Sequence, residues 1–327
     1  DEMMDKMNGL KQDMTLRSFL DLHYKGASHA ELRREVIRFA EGFDLADVEK
    51  ASVRFLCREW EEDNHDQYRI PEGYRKLTDF LANRIKHHGG RILTGTIVDE
   101  VEWKKNEIRV LTRNGKIFES KKIIITVPLG VMQHADSSDK PSIRFKPSIV
   151  PLLKNAEQIG FGSVVKYFAL FDNFFSRELT EASMLLGDQK IPTWWVRFFK
   201  DKVLLTGWLG GPAAYANAGK SQSEYREQAL NSIAQMFNVD KKELEKKLRA
   251  IRTINWSDQP FAGGAYSYEK LGSAEIKKLM RQAIAGSVYF AGEGLYDGSS
   301  PGTVEAALSS GRDVAGRIMV GWSVNKA

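Results

Sequence analysis

Three stretches of this chain combine residue types that could do chemistry. The first is Val288-Tyr289-Phe290-Ala291, a buried-strand pattern, followed by the tight turn Gly292-Glu293-Gly294 and an amphipathic helix from about Gly302 to Met319. A strand of this kind delivers its loop to the carboxyl edge of a sheet, where open α/β folds place ligands. Gly292, Gly294, Gly298 and Gly302 let backbone approach a ligand closely, and the helix start near Thr303 offers free N–H groups and partial positive charge. Glu293 adds an acceptor for sugar-like hydroxyls. An ordinary strand–helix connection, with glycines serving only as turns, stays open beside this reading.

The second stretch is Val164-Val165-Lys166-Tyr167-Phe168-Ala169-Leu170-Phe171. Period-two alternation puts Lys166 on a face with Val164, Phe168 and Leu170. A lysine there either snorkels to water at a sheet edge or is a desolvated functional amine. The third stretch, residues 255–268, places Trp256, Phe261 and Tyr266 on a Pro/Gly-rich loop. Such aromatics wall a pocket for a flat ligand or plug the end of a core.

The elements that must position these residues follow from the rest of the chain. Its 327 residues suggest two domains. With 42% hydrophobic and 28% charged residues, the composition is that of an ordinary globular protein. A net charge of +5, spread along the sequence, does not argue for nucleic acid. Cys57 is the single cysteine, which excludes intrachain disulfides and fits a reducing, cytoplasmic compartment. The six histidines show no ligand spacing, so no metal is expected, and no apolar run is long enough to span a membrane. The chain opens at Asp1 inside a helical pattern (Met3, Met4, Met7, Leu10) and reads as the later part of a longer polypeptide.

The first sixty residues read as helical. Ser28-His29-Ala30-Glu31 has the form of a capping box, and a second helix is predicted over 47–61. A short helix over 77–85, strands over 92–98 and 101–103, and a type I′ hairpin at Asn114-Gly115 come next. Ile123–Val127 reads as a strand buried on both faces, and residues 136–151 as loop. Trp194–Phe199 and Val203–Trp208 form a strand pair. Helices follow over 221–237 and after Asp240.

Taken in order, several segments resemble the flavin-dependent amine oxidase family, which includes monoamine oxidases, polyamine oxidases and lysine-specific histone demethylases. They are Pro71-Glu72-Gly73-Tyr74, Ile97–Val101, Ile125–Val131, Gly160–Lys166, the Trp256–Tyr266 loop, and Phe290–Glu293 with Pro301–Ala307. The resemblance implies an α/β (mixed α+β) fold: an incomplete Rossmann-like FAD-binding domain and a mixed-sheet and helical substrate domain, both discontinuous. Residues 1–64 and 135–252 would then belong to the substrate domain, and 65–134 and 253–327 to the FAD-binding domain.

The resemblance also implies roles. Lys166 falls on the lysine that holds a water against the flavin and assists reoxidation by O₂. Val98 falls on the residue whose backbone holds the adenine end. Glu293, after Gly292, falls on the acid that contacts the ribityl–phosphate part of FAD. Thr303 and Val304 fall on the helix start at the flavin's pyrimidine edge, and Pro128 lies in the matching strand-end motif. Trp256 and Phe261 would wall the flavin, and Tyr266 matches one of two aromatics that sandwich the substrate amine. Ala265 stands where covalent members carry a cysteine, so bound FAD is expected to be non-covalent. Thr303 takes the second sandwich position, as in demethylase-like members.

The family's opening Gly-x-Gly-x-x-Gly fingerprint does not occur, and Gly207–Pro212 has the wrong form. FAD is therefore expected to be weakly held or absent in this chain, and the isolated chain inactive. The expected partners are a small amine and O₂, with H₂O₂ released. Competing readings are an L-amino-acid oxidase, for which Arg197 beside Trp194-Trp195 is the candidate carboxylate anchor, a desaturase-like flavoprotein, or a cofactor-free scaffold. The acidic run 61–66 suits a polyamine entrance or a solvated loop.

Overall fold

The computed structural model describes residues 2–62, 70, 73–135, 137, 139–172, 183–298 and 300–324. Pro71, Glu72 and most of the 61–66 acidic run therefore lie outside the described residues.

Helices lead the chain: α1 (Glu2–Asn8), α2 (Leu16–His23), α3 (Ala30–Gly42), α4 (Val53–Glu62) and α5 (Arg75–His87). Leu16, Phe19 and Leu20 of α2 pack with Val36, Ala40, Val48, Phe55 and Leu56 into one core. The expected capping box at Ser28 does not form. Residues Ala27–His29 make a 3-10 turn instead, so Ser28 lies inside that turn and α3 starts without a side-chain cap. The helix expected from Asp47 begins only at Val53. Before it, Ala51 and Ser52 form bridges to Lys270 and Thr15, and Asp47 closes a turn by accepting from the Lys50 and Ala51 amides. Helix α5 has no buried residue, and Phe80 and Ile85 on it are 56% and 46% exposed.

Next come β1 (Val98–Lys104), β2 (Glu107–Thr112), β3 (Ile117–Ser120), β4 (Ile123–Ile125), α6 (Leu129–Gln133), β5 (Arg144–Lys146) and α7 (Val150–Leu153). The first three form a meander, and β5 adds to β1 in parallel within a stretch expected to be loop. Residues 92–97 form no strand. At the β2–β3 turn only Gly115 has positive φ, so the turn is not type I′, which needs it at both central positions. Strand β4 is also less enclosed than its sequence suggests. Among the described residues it pairs only with β13 (Val288–Phe290), in parallel, and Ile124 is 40% exposed.

The second half holds β6 (Gly160–Phe161), β7 (Val164–Asp172), β8 (Met184–Leu186), β9 (Thr193–Phe199), β10 (Lys202–Gly210), α8 (Gly211–Tyr215), α9 (Gln222–Phe237), α10 (Lys241–Lys247), β11 (Leu248–Asn255), β12 (Ser267–Tyr268), α11 (Ser273–Met280) and, after β13, α12 (Val304–Val324). A five-stranded antiparallel sheet runs in the order β11-β7-β10-β9-β8. Val165, Tyr167, Ala169 and Phe171 of β7 bury one face against Ala229, Leu230 and Ile233 of α9. Ser221 and Glu224 close a capping box on α9, and Asp240 caps α10, both at the expected places.

A third core joins Val101, Ile108, Ile125 and Leu129 to Val288, Phe290 and Leu295. Phe145, Ile149, Leu153, Ala156, Ile159 and Phe161 also belong to it, so packing with the 98–132 segment continues well past residue 134. Among the described residues no helix is long and apolar enough to cross a membrane, and no group of three His, Cys, Asp or Glu could hold a metal ion.

Candidate active site

Lys166 sits on β7, the second strand of five, with Trp208 opposite it on β10 and Ile254 on β11. The sheet-edge reading is thereby excluded. Its face of the sheet, with Phe168, Leu170 and Thr206, is half-buried, whereas the α9 face is fully buried. The ammonium lies 4.9 Å from the Trp208 ring centroid, and burial holds its pKa below the ordinary lysine value. A desolvated cation over an indole face is partly compensated by the ring quadrupole.

Strand β11 runs into the aromatic loop. Asn255 Oδ1 accepts from the Ser257 amide, and Ser257 Oγ meets Ser163 Oγ at 2.5 Å, which pins the loop to the start of β7. The Gly162 amide donates to the Tyr266 carbonyl at 2.7 Å, and the Ala265 amide to the Gly162 carbonyl at 2.8 Å. Between these anchors the loop lies flat on α6. A Cβ on Gly130 would stand 2.5 Å from the Ala262 carbonyl oxygen. Trp256 and Phe261 are 39% and 53% exposed, so they do not plug a core.

Tyr266 points back across the molecule. Its hydroxyl donates to the Phe43 carbonyl, and burial raises its pKa well above the ordinary phenol value. Trp208 Nε1 donates to the Gly42 carbonyl at 2.7 Å. The end of α3 therefore straps the indole under Lys166 to the phenol of Tyr266.

Glu293 joins the same region from β13. Its Oε2 accepts from Ser267 Oγ at 2.7 Å and the Ser267 amide at 3.3 Å, and burial raises its pKa above the ordinary carboxyl value. A Cβ on Gly302 would stand 3.1 Å from the Tyr266 ring, which brings the α12 entrance against Tyr266. Thr303 Oγ1 accepts from the Ala306 amide at 3.1 Å and donates to the Ser300 carbonyl, so its side chain caps α12. Val304 is 37% exposed at the first helical position. Gly292 has φ +148°, with open space where a Cβ would stand, and its amide donates to Ser310 Oγ at 3.1 Å. Pro128 is exposed at the N-cap of α6, beyond β4. Val98 packs at the rim of the core containing Ile125, Leu129 and Phe290.

Structure thus brings together Tyr266, Gly302, Thr303 and Glu293, and links them through Gly42–Phe43 to Lys166. Sequence reasoning did not identify Trp208, Ser267 or the Gly42–Phe43 carbonyls. Trp208 was legible only as an alternating strand residue, because register between strands is not written in either one alone. Arg197 is exposed and lies 4.8 Å from the Phe199 ring centroid, an ordinary surface arrangement.

Residues 6–319 match the model of the flavin-containing amine oxidoreductase family, and the chain belongs to it. It is 26% identical over 323 residues to lysine-specific histone demethylase 1 homolog 1 of Oryza sativa subsp. japonica, covering 94% of this chain and 36% of the relative. It is 24% identical over 241 residues to probable polyamine oxidase 5 of Arabidopsis thaliana, covering 64% of this chain and 43% of the relative. A putrescine oxidase solved with putrescine superposes with a TM-score of 0.75 at 17% identity, covering 94% of this chain and 68% of that one. Cyclohexylamine oxidase from Brevibacterium oxydans gives 0.70 at 18% identity, with the same coverage. The chain thus spans well under half the length of these curated relatives.

The flavin implied by the family suits the residues present at one end. Exposed Trp256 and Phe261, the open cradle at Gly292, Glu293 and the N-terminus of the 21-residue α12 fit its ring and ribityl parts.

Proposed function

We propose that this chain contributes both cofactor-binding and substrate-binding residues of a flavin-dependent amine oxidase. When bound, FAD would supply the two-electron acceptor for the carbon bearing the amine, with O₂ as the final oxidant. The amine becomes an imine, which water hydrolyses, and H₂O₂ is released. Trp256, Phe261, Gly292, Glu293, Thr303 and Val304 would hold the cofactor non-covalently, with Val98 and Pro128 toward its adenosine side. The α12 N-terminus places partial positive charge where negative charge is favoured. Tyr266, fixed by Phe43, would orient the neutral amine with one aromatic face. Lys166 would hold a water and present positive charge to O₂, which favours its reduction. Residues 65–134 and 253–327 would serve the cofactor, and 1–64 with 135–252 the substrate.

The observation that carries this reading is Lys166 on an inner strand, lying over Trp208 and tied through Gly42–Phe43 to Tyr266. The test is anaerobic mixing of the intact, FAD-holding enzyme with a panel of amines. Bleaching by at least one amine is expected, and a flavin that none reduces overturns the assignment.

A second part of the proposal concerns affinity. The 327 residues contain no Gly-x-Gly-x-x-Gly loop to seat a pyrophosphate, and the parallel pair β4–β13 leaves Ile124 at the surface. This chain alone is expected to lose FAD on gel filtration. A preparation that stays yellow contradicts that expectation.

A further inference from the structure

A fully buried ammonium stands behind the glycine–glutamate turn. Lys277, on α11, is 0% exposed, and its Nζ donates to Glu269 Oε1 at 2.9 Å. The other oxygen of Glu269 is taken by Arg58 of α4, at 3.1 Å. One carboxylate therefore serves two cations, of which Arg58 is exposed to water and Lys277 is not. A buried ammonium that shares its counter-ion carries surplus positive charge into its surroundings. Those surroundings include Glu293. Ser267 and Glu269 lie two residues apart on the extended stretch that holds β12, so their side chains share one side. Ser267 bonds Glu293 through its Oγ and its amide, and Glu269 bonds Lys277. Helix α11 packs against the turn Glu293–Leu295. The frame around them is fixed. The Ser52 amide donates to the Glu269 carbonyl at 2.9 Å. At the start of α11, Ser273 Oγ accepts from the Lys270 amide at 2.8 Å and donates to the Gln158 carbonyl at 2.9 Å.

We propose that Lys277 is a positioning residue for the cofactor-side acid: its ammonium, held by Glu269, favours the carboxylate form of Glu293. That form only accepts hydrogen bonds and so suits the sugar-like hydroxyls of a ligand. The proposal rests on the reading of Glu293 as a cofactor contact and adds the group that sets its charge. Burial pushes Glu293 toward the neutral acid. The Lys277 charge pulls the other way, together with the Ser267 donors and the Gly302 amide. Other charged groups on the neighbouring elements are engaged elsewhere. On α11, Glu275 and Lys278 are exposed and Arg281 pairs with Asp297; on α12, Glu305 is exposed. Lys270 bonds the Glu157 carbonyl, and burial keeps the phenols of Tyr266 and Tyr268 neutral. A lysine is a costly choice for filling a closed interior, because its charge must be desolvated; an apolar side chain packs there without that cost.

The first test needs no flavin. Protein carrying isotope-labelled glutamate is titrated by NMR, with the Glu293 signal assigned through Glu293→Gln. In Lys277→Met the Glu293 midpoint is expected to rise by about one pH unit, a roughly tenfold tighter hold on its proton. In Glu269→Gln, which frees Lys277 from its counter-ion, the midpoint is expected to fall. Lys277→Arg is expected to keep the wild-type value. If Lys277→Met does not fold with Glu269 orphaned, the double variant Lys277→Met/Glu269→Gln removes both buried charges. Its midpoint is expected above that of Glu269→Gln alone. A second readout is FAD retention by the intact, FAD-holding enzyme. Loss in Lys277→Met is expected to be steeper at acidic than at alkaline pH, where Glu293 is ionised with or without Lys277. A Glu293 midpoint that ignores Lys277, shifts of one sign in Lys277→Met and Glu269→Gln, or a loss equal at every pH overturns the proposal. If Glu293→Gln retains FAD as wild type does, the cofactor reading of Glu293 fails instead, and the midpoints still decide the role of Lys277.

Discussion

Gly130→Ala tests how the aromatic loop is held. Gly130 lies in α6 just beyond β4, and an added Cβ would stand 2.5 Å from the Ala262 carbonyl oxygen and 2.9 Å from both the carbon and the oxygen of the Gly263 carbonyl. All three are backbone atoms, which cannot rotate away. Relief requires the loop bearing Phe261 to lift from α6, or α6 to shift within a core that includes Leu129 and Met132. Overpacking of this kind costs about 1–3 kcal/mol. For a cooperative unit of 150–250 residues that lowers Tm by roughly 2–12 °C. Gly311→Ala is the internal control. It lies within α12 with nothing within 4 Å of its would-be Cβ, and there alanine is expected to stabilise by about 0.5–1 kcal/mol. Calorimetry on both variants and wild type checks the pair. A Gly130→Ala protein that melts with wild type would falsify the packing of the aromatic loop described above.

Four further outcomes follow from the site. In the intact, FAD-holding enzyme, Lys166→Met is expected to lower amine-dependent oxygen uptake while FAD content holds. The folded pKa of Lys166 lies below its unfolded value near 10.5, so the unfolded chain binds more protons between the two. Stability should therefore rise with pH across that window, and urea melts of Lys166→Met should show a shallower rise; an identical slope contradicts a desolvated ammonium. For Glu293 the sign is opposite: its folded pKa lies above 4.5, the native state holds the extra proton, and stability falls as pH climbs through the window. Glu293→Gln should flatten that fall, measured as the melting midpoint against pH from 4 upward. Tyr266→Phe, which keeps the ring and removes the bond to Phe43, should cost about 0.5–1.5 kcal/mol of stability in denaturant melts.

Much of the architecture is legible in the sequence where a pattern has one physical meaning. The alternation of β7 fixes which residues share a face with Lys166, and Ser221 with Glu224 marks the start of α9. Failures occur where long-range contacts override local signals. Ser28-x-x-Glu31 has the capping form, yet a 3-10 turn over Ala27–His29 takes Ser28, Glu31 falls inside α3, and Arg33 bonds the Tyr24 and Gly26 carbonyls. Residues 47–52 have a helical pattern but are drawn into bridges with Lys270 and Thr15. Ile123–Ile125 is apolar enough for a strand enclosed on both faces, but enclosure depends on neighbours that its own residues do not encode. In the site, residue types with unusual company were legible: a lysine in an apolar strand and aromatics on a glycine-rich loop. Their connection was not, because it runs through two backbone carbonyls, Gly42 and Phe43, whose side chains give no hint of it.

The most direct measurement of the central claim is a stopped-flow anaerobic experiment on the intact, FAD-holding enzyme, wild type and Tyr266→Leu, with each amine of a graded panel. The account predicts saturable loss of flavin absorbance in wild type, with an apparent amine affinity weakened in the variant. Absorbance that stays unchanged with every amine, or reduction that ignores Tyr266 altogether, would contradict it.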